Sequence, residues 1–277
     1  MTAVRGSVVP TRPVERRYAG YIFDLDGTIY LGDELLPGAY ELLTGLRERG
    51  ARTLFVSNNP TKDPQMYADK LGRLGVPVSP EDIVNTVVTM AAWLKQHHPG
   101  GHVFVIGEEP LRRAVVEAGL VLCDDPATID VVVASYDRQF DYAKLQVAFD
   151  ALWMHGRAVL VTTNPDRYCP FPGGRGEPDA AAVVAAIEAS TGVRCSVNVG
   201  KPDPLMIETI LGLTGLAAEE CVVVGDRLST DIAMAGRAGM DSALVLTGET
   251  TLAMLSAPLP AEQTPTFVLD ALEDLLV

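Results

Sequence analysis

Short apolar runs alternate with longer amphipathic stretches along almost the whole chain. The runs at 21–23, 53–56, 103–106, 131–134, 158–161, 221–224, 243–246 and 266–268 predict strands. Val222-Val223-Val224 has no polar break, which suits a strand covered on both faces. Between the runs lie helical patterns with recognisable ends. The stretch 39–49 closes at Gly50. Asp63 can cap a helix that Pro64 enters and Gly75 ends, and another helix is expected over 204–213. Strands alternating with helices predict an α/β fold with mainly parallel sheets. The stretch Pro170-Phe171-Pro172-Gly173-Gly174-Arg175-Gly176-Glu177-Pro178 breaks the pattern and reads as an irregular loop, either facing a substrate or simply connecting.

Composition narrows the class. The 277 residues are 48% apolar and 21% charged, enough for one large domain or two modest ones with a proper core. The net charge of −14, with no basic cluster beyond the N-terminus, argues against a nucleic-acid binder. An acidic surface steers anions poorly, so any anion site must be built locally. Cys123, Cys169, Cys195 and Cys221 form no CxxC pair, which argues against a zinc site or a disulfide framework and for a reducing, cytoplasmic setting. Residues 1–17 carry Arg5, Arg12, Arg16 and Arg17 with Pro10 and Pro13 but no signal-peptide apolar stretch, so they read as a flexible tail. No apolar run is long enough to span a membrane.

In an open α/β sheet, ligands bind beyond the carboxyl ends of the strands. Asp24 and Asp26 follow the first run, Ser57-Asn58-Asn59 the second, and Gly225-Asp226 with Asp231 the sixth. Side chains two apart on a strand leave on one side, so Asp24 and Asp26 could converge on a hard cation such as Mg²⁺. The same residues read equally well as the start of a turn, since Gly27 follows. Ser57-Asn58-Asn59 could be a helix cap, and Lys201, ahead of the 204–213 helix, a surface group. Together, however, they supply what phosphoryl transfer needs: a nucleophile, a cation, donors for the phosphate oxygens and a proton handler.

At these residues the chain resembles the haloacid dehalogenase superfamily of phosphatases, most closely its NagD-like subgroup, whose members act on phosphoglycolate, pyridoxal phosphate, p-nitrophenyl phosphate and sugar phosphates. The resemblance rests on Phe23-Asp24-Leu25-Asp26-Gly27-Thr28, Phe55-Val56-Ser57-Asn58-Asn59, Val199-Gly200-Lys201-Pro202 and Val224-Gly225-Asp226-Arg227-Leu228-Ser229-Thr230-Asp231-Ile232. Two subgroup-like stretches are Tyr136-Asp137-Arg138-Gln139-Phe140-Asp141-Tyr142-Ala143-Lys144-Leu145 and Thr163-Asn164-Pro165-Asp166. The likeness spans about residues 20–277. It departs from the subgroup at Glu177-Pro178-Asp179-Ala180, where a Gly-rich stretch is usual, and at Ser135, where glycine is usual.

The resemblance implies a Rossmann-like core, 18–85 with 197–277, and a large inserted α/β cap over 86–196. It implies a Mg²⁺-dependent hydrolase of small phosphate monoesters. Asp24 is then the nucleophile, forming an aspartyl-phosphate, and Asp26 the acid and base. Asp24, the Asp26 carbonyl and Asp226 would hold the metal, and Ser57, Asn58 and Lys201 the phosphate. Asp231, which could also be a helix cap, and Thr28 would support them. In the cap, Asn164, Asp166, Arg167 and Arg138 are candidates for reading the leaving group. Partners would be a small phosphorylated metabolite and a second copy joined through the cap, with neither nucleic acid nor membrane. Rival readings are a carbon–halogen hydrolase, which needs no Asp26, a phosphotransferase or phosphomutase sharing the intermediate, and a catalytically silent binding module.

Overall fold

The computed structural model describes residues 14, 16–171 and 174–276. Most of the expected tail, residues 1–13 and 15, lies outside the described residues, as do Pro172 and Gly173. Within the 1–17 stretch, Val14 is buried, and the Arg16 guanidinium lies 4.4 Å from the Tyr18 ring centre.

In chain order the strands are β1 (Gly20–Asp24), β2 (Tyr30–Leu31), β3 (Glu34–Leu35), β4 (Arg52–Ser57), β5 (Ile83–Asn85), β6 (His102–Ile106), β7 (Val121–Leu122), β8 (Val131–Ala134), β9 (Val159–Thr162), β10 (Tyr168–Pro170), β11 (Gly176–Pro178), β12 (Val197–Asn198), β13 (Cys221–Gly225), β14 (Asp241–Val245) and β15 (Phe267–Leu269). The helices are α1 (Ala39–Glu48), α2 (Pro64–Arg73), α3 (Thr86–His97), α4 (Glu109–Glu117), α5 (Tyr142–Phe149), α6 (Ala180–Thr191), α7 (Leu205–Thr214) and α8 (Ala233–Arg237). Every apolar run read as a strand forms one. The chain divides into two compact units. Met1–Val56, Ala68–Ile83 and Ile210–Val277 make the first, and Ser57–Tyr67 with Val84–Thr209 the second.

The first unit is built on the strands β15-β14-β13-β1-β4. Its pairs β1–β13, β1–β4, β13–β14 and β14–β15 are parallel. Ile22, Phe23, Val222, Val223 and Val224 are all fully buried, as an uninterrupted apolar run requires when both sheet faces are covered. Helix α1 buries Ala39, Leu42, Leu43 and Leu46, the spacing of one helical face. Each such leucine contributes about 1.5–3 kcal/mol relative to exposure. The chain places β4 on one side of β1 and returns to place β13 on the other. This reversal makes the carboxyl end of β1 a switch point, where a crevice opens between diverging connections.

The second unit has its own parallel sheet, β12-β9-β8-β6-β7. Strand alternation sorts its side chains cleanly. Val103, Val105, Val131, Val133 and Val161 pack with Met90 and Leu94 of α3 and Leu111 and Val115 of α4. Phe104, Ile106, Val132, Ala134 and Leu160 pack on the other face with Ala148 of α5 and Val183 and Ile187 of α6. Helices thus cover both faces, as a parallel sheet demands. The Pro/Gly-rich stretch departs from the expected irregular loop. β10 and β11 pair antiparallel, with Cys169 opposite Glu177, and Pro170 and Pro178 sit at strand ends where a missing N–H is tolerated. No helix among the described residues is long and apolar enough to cross a membrane. All four cysteines are free thiols.

Candidate active site

In the first unit, Phe23 is in register with Val224, so Asp24 leaves β1 level with Gly225 and Asp226 follows at once. Asp231 comes back from the turn Leu228–Ile232, its Oδ2 accepting from the Arg227 N–H at 3.2 Å. Asp24, Asp226 and Asp231 each offer an oxygen, these lying within 4.8 Å of one another, and all three residues are buried. Glycines make the room. A Cβ at Gly225 would overlap the Asp231 side chain, one at Gly248 would overlap the Asp226 carboxylate, and one at Gly27 would lie 2.8 Å from Asp226 Oδ2. The Glu249 N–H donates to that same Oδ2 at 2.6 Å.

Three buried carboxylates this close repel strongly unless positive charge balances them. Arg227 supplies part of it. Burial lowers the Arg227 pKa, but Glu249, Asp226, Asp24 and Asp231 more than offset this and leave it raised. The donor set contains only hard oxygens, with no sulfur or imidazole, and this fits Mg²⁺ rather than zinc or copper.

The cluster joins Asp24 to Asp226 and Asp231 and does not include the Asp26 carboxylate. Strand β1 ends at Asp24, so the alternation that would align the two carboxylates stops there. Asp26 is exposed, and the Tyr30 hydroxyl lies 3.3 Å from its Oδ2. Gly27, at φ +91°, turns the chain so that its N–H reaches the Tyr30 carbonyl at 2.8 Å. The Lys70 ammonium stands 3.6 Å from the centre of the fully buried Tyr30 ring. Thr28 is fully buried, and its hydroxyl has no hydrogen-bond partner.

The remaining candidates belong to the second unit. The Ser57 hydroxyl ends β4 and lies 2.9 Å from the Tyr67 hydroxyl, while the Asn59 N–H donates to it at 3.2 Å. Asn58 is committed to the protein. Its Oδ1 accepts from the Lys201 N–H at 2.8 Å, and its Nδ2 donates to the Lys201 carbonyl at 3.0 Å and to Asp166 Oδ2 at 3.1 Å. Both ends of the Asn58 side-chain amide are thus engaged within the protein. Lys201 is 3% exposed, and an ammonium so deep requires polar or anionic company. Gly200 permits the approach, since a Cβ there would lie 2.9 Å from Asn58 Oδ1 and 3.0 Å from Asn164 Cβ.

Of the four candidates for leaving-group contact, Asn164 and Asp166 join Asn58. Asn164 Nδ2 donates to the Asn58 carbonyl at 3.1 Å, and its Oδ1 accepts from the Asp166 N–H at 2.9 Å. Arg167 is exposed, and its carbonyl accepts from the Asp179 N–H. Arg138 is held elsewhere, its guanidinium making two 2.6 Å bonds to the Glu108 carboxylate.

Sequence reading did not find Tyr30, Tyr67 or Asp179. The first two are aromatic residues with ordinary core signatures. Asp179 stood in the sequence only as part of a departure from the subgroup; in the structure it caps the α6 helix, accepting from the Ala180 N–H at 2.6 Å. Burial pushes its carboxyl up to about 6, with the Ala180 N–H opposing, Asp166 adding to the rise and Asn164 opposing. A folded carboxyl raised in this way holds its proton more tightly than the unfolded one. The contribution of Asp179 to stability is therefore greatest below about pH 4 and is lost as pH rises through about 6. Asp179→Asn keeps an acceptor for Ala180 and removes this slope. Its melting temperature should match wild type near pH 4 and exceed it at about pH 7.5. Parallel thermal melts across that range check this, and identical pH dependence in the two proteins would contradict it.

Two family models match the chain, one described as haloacid dehalogenase-like hydrolase over residues 21–121 and a HAD-hydrolase-like one over residues 198–275. An acid sugar phosphatase of Staphylococcus aureus is 35% identical over 237 residues, covering 86% of this chain and 90% of that protein. The crystal structure of a 4-nitrophenylphosphatase from Thermotoga maritima superposes with a TM-score of 0.87 at 36% identity, covering 94% of this chain and 96% of that one. A p-nitrophenyl phosphatase from Archaeoglobus fulgidus gives 0.85 at 29% identity, with 94% and 99% covered.

Proposed function

The chain belongs to the haloacid dehalogenase superfamily, in its NagD-like branch of phosphatases, and from that premise we propose that it is a Mg²⁺-dependent hydrolase of small phosphate monoesters such as sugar phosphates, phosphoglycolate or pyridoxal phosphate. The observation that carries the reading is the buried cluster of Asp24, Asp226 and Asp231 at the switch point of the first unit's sheet.

Asp24 attacks phosphorus in line. Its carboxylate oxygen bonds to phosphorus as the bond to the leaving oxygen breaks, giving an aspartyl-phosphate. Asp26 gives its proton to the leaving alkoxide, then takes one from the water that attacks the intermediate and frees Asp24 and inorganic phosphate. Asp24, Asp226 and the Asp26 carbonyl would hold the metal, and Asp231 adds a further carboxylate. When bound, Mg²⁺ offsets the repulsion between the anionic nucleophile and the anionic phosphate. Ser57 and Lys201 serve the phosphate oxygens. The Asn59 N–H donates to the Ser57 oxygen, and the Ser57 proton goes either to the Tyr67 hydroxyl or to phosphate. Thr28 supports the turn. The 86–196 segment acts as the cap on a core of 18–85 and 197–277, and Arg167 on its exposed surface is retained as a leaving-group contact. Exposed Tyr142, Trp153 and Met154 in that segment support a homodimer formed through it. Free thiols support a cytoplasmic setting.

The test is phosphate release, with Mg²⁺ present, from p-nitrophenyl phosphate, glycerol 3-phosphate and glucose 6-phosphate, by wild type, Asp26→Ala and Tyr30→Phe. A nitrophenolate leaves without a proton, whereas an alkoxide needs one. Asp26→Ala should therefore lose about 10²–10⁴-fold on the sugar and glycerol esters and much less on p-nitrophenyl phosphate. Tyr30→Phe should show the same selectivity at smaller size. No release from any ester by folded wild-type protein would refute the hydrolase.

A further inference from the structure

The Thr163-Asn164-Pro165-Asp166 segment has a chemical task other than leaving-group contact. An amide side chain is ambiguous about its own orientation, since oxygen and nitrogen occupy nearly the same shape. Something nearby must decide which end donates. At Asn58, Asp166 decides it. A carboxylate only accepts, so the group facing Asp166 Oδ2 at 3.1 Å must be the nitrogen. With Nδ2 fixed there, the same nitrogen reaches the Lys201 carbonyl and Oδ1 is left for the Lys201 N–H. The side chain so binds both backbone groups of one residue, 143 positions away in sequence. Flipping the amide would set its oxygen against both the Asp166 carboxylate and the Lys201 carbonyl, losing three bonds at once.

The main chain of Asn58 is held as firmly. Its carbonyl accepts from Asn164 Nδ2 at 3.1 Å and from the Thr86 hydroxyl at 3.0 Å. Asn164 also fixes Asp166, through the 2.9 Å bond from the Asp166 N–H. Residues 164 and 166 thus grip Asn58 at main chain and side chain together. Both polar groups of Asn164 and the inward oxygen of Asp166 are engaged in this grip.

We propose that Asn58 and Asp166 are positioning residues for Lys201: Asp166 orients the Asn58 amide, and the amide sets the Lys201 backbone from which the ammonium reaches phosphate. This rests on the proposed role of Lys201 at the phosphate. Asn58 then acts through Lys201, and Asp166 affects every substrate alike because every substrate carries the same phosphoryl group.

The experiment measures kcat and KM on the same three esters, together with competitive inhibition by inorganic phosphate, for wild type, Asp166→Ala, Asp166→Asn and Lys201→Ala. Asp166→Ala should lower kcat/KM by one common factor on all three esters, between about tenfold and about a hundredfold, and weaken phosphate inhibition as well. Asp166→Asn keeps an acceptor oxygen toward Asn58 and should recover most of the loss. Thermal melts confirm that each variant is folded at the assay temperature. If Asp166→Ala is not, Asp166→Ser carries the same comparison. A loss that differs more than about tenfold among the esters, with phosphate inhibition unchanged, would make Asp166 a leaving-group contact and overturn the proposal. Wild-type kinetics in Asp166→Ala would overturn it too. Lys201→Ala separates the two levels. If it leaves phosphate inhibition intact, the phosphate role of Lys201 fails. If it abolishes inhibition while Asp166→Ala is silent, only the positioning role fails.

Discussion

Asp24→Asn yields a folded protein that releases phosphate more than about a thousandfold more slowly than wild type, on good and poor leaving groups alike. The amide oxygen is neutral and a far weaker nucleophile than a carboxylate, so the first bond to phosphorus does not form. No leaving-group preference appears, because departure never begins. The substitution also removes one of three buried carboxylates whose oxygens lie within 4.8 Å of each other. At that spacing each pair of like charges costs about 3 kcal/mol with an effective dielectric near 20. Without metal, the variant should therefore melt at or above the wild-type temperature. That combination, activity gone and stability kept, separates a lost nucleophile from a damaged fold. Turnover within tenfold of wild type would end the covalent scheme.

Chelation has the second large effect. Excess EDTA should stop phosphate release and lower the melting temperature, and Mg²⁺ should restore both. An ion that binds only the folded state stabilises it by about 2.7 kcal/mol at a hundred times its dissociation constant. Asp226→Ala should abolish this Mg²⁺-dependent rise, since it removes a carboxylate held in place by the Glu249 N–H. The melting shift is read without any substrate, so it tests the metal site independently of catalysis. An unchanged melt on adding Mg²⁺ to EDTA-treated wild type would argue against a metal at this cluster.

The parts of the fold legible in the sequence are those whose signal is local. Val222-Val223-Val224 and 131–134 are short, apolar and buried on both faces, so their composition alone marks them. Asp63, Pro64 and Gly75 bound α2 as their chemistry suggests: Asp63 Oδ1 accepts from the Met66 N–H at 2.8 Å, and Gly75 takes φ +90°. What stayed hidden is either too short or too distant. β2, β3, β7 and β12 are two-residue strands with no periodicity to detect. The β10–β11 hairpin lies under prolines and glycines that normally signal its absence.

The site divides the same way. Asp24 and Asp226 stand at strand ends, and strand ends can be read from a chain. Asp231 offered two readings, helix cap or support for the metal and phosphate residues. Its carboxylate in fact binds the Arg227 N–H and also joins the cluster. Asn58 could not be resolved, because its partners lie 108 and 143 residues away, and no local rule reports a bond across that distance. Arg138 has a partner that is likewise distant in sequence. A cation beside a polar stretch suggests an anion to read, but Glu108, on another strand's exit, already answers it.

Gly248 sits in none of the motifs, yet a single methyl there would occupy the space that the Asp226 carboxylate needs. A lineage could therefore lose activity while keeping every acidic residue, by a change that adds carbon and alters no charge. Judging whether a relative is active by checking its aspartates would score such a protein as an enzyme. The emptiness beside Asp226 belongs in the inventory of functional parts as much as the oxygens do, and an Ala at 248 is the substitution to look for first.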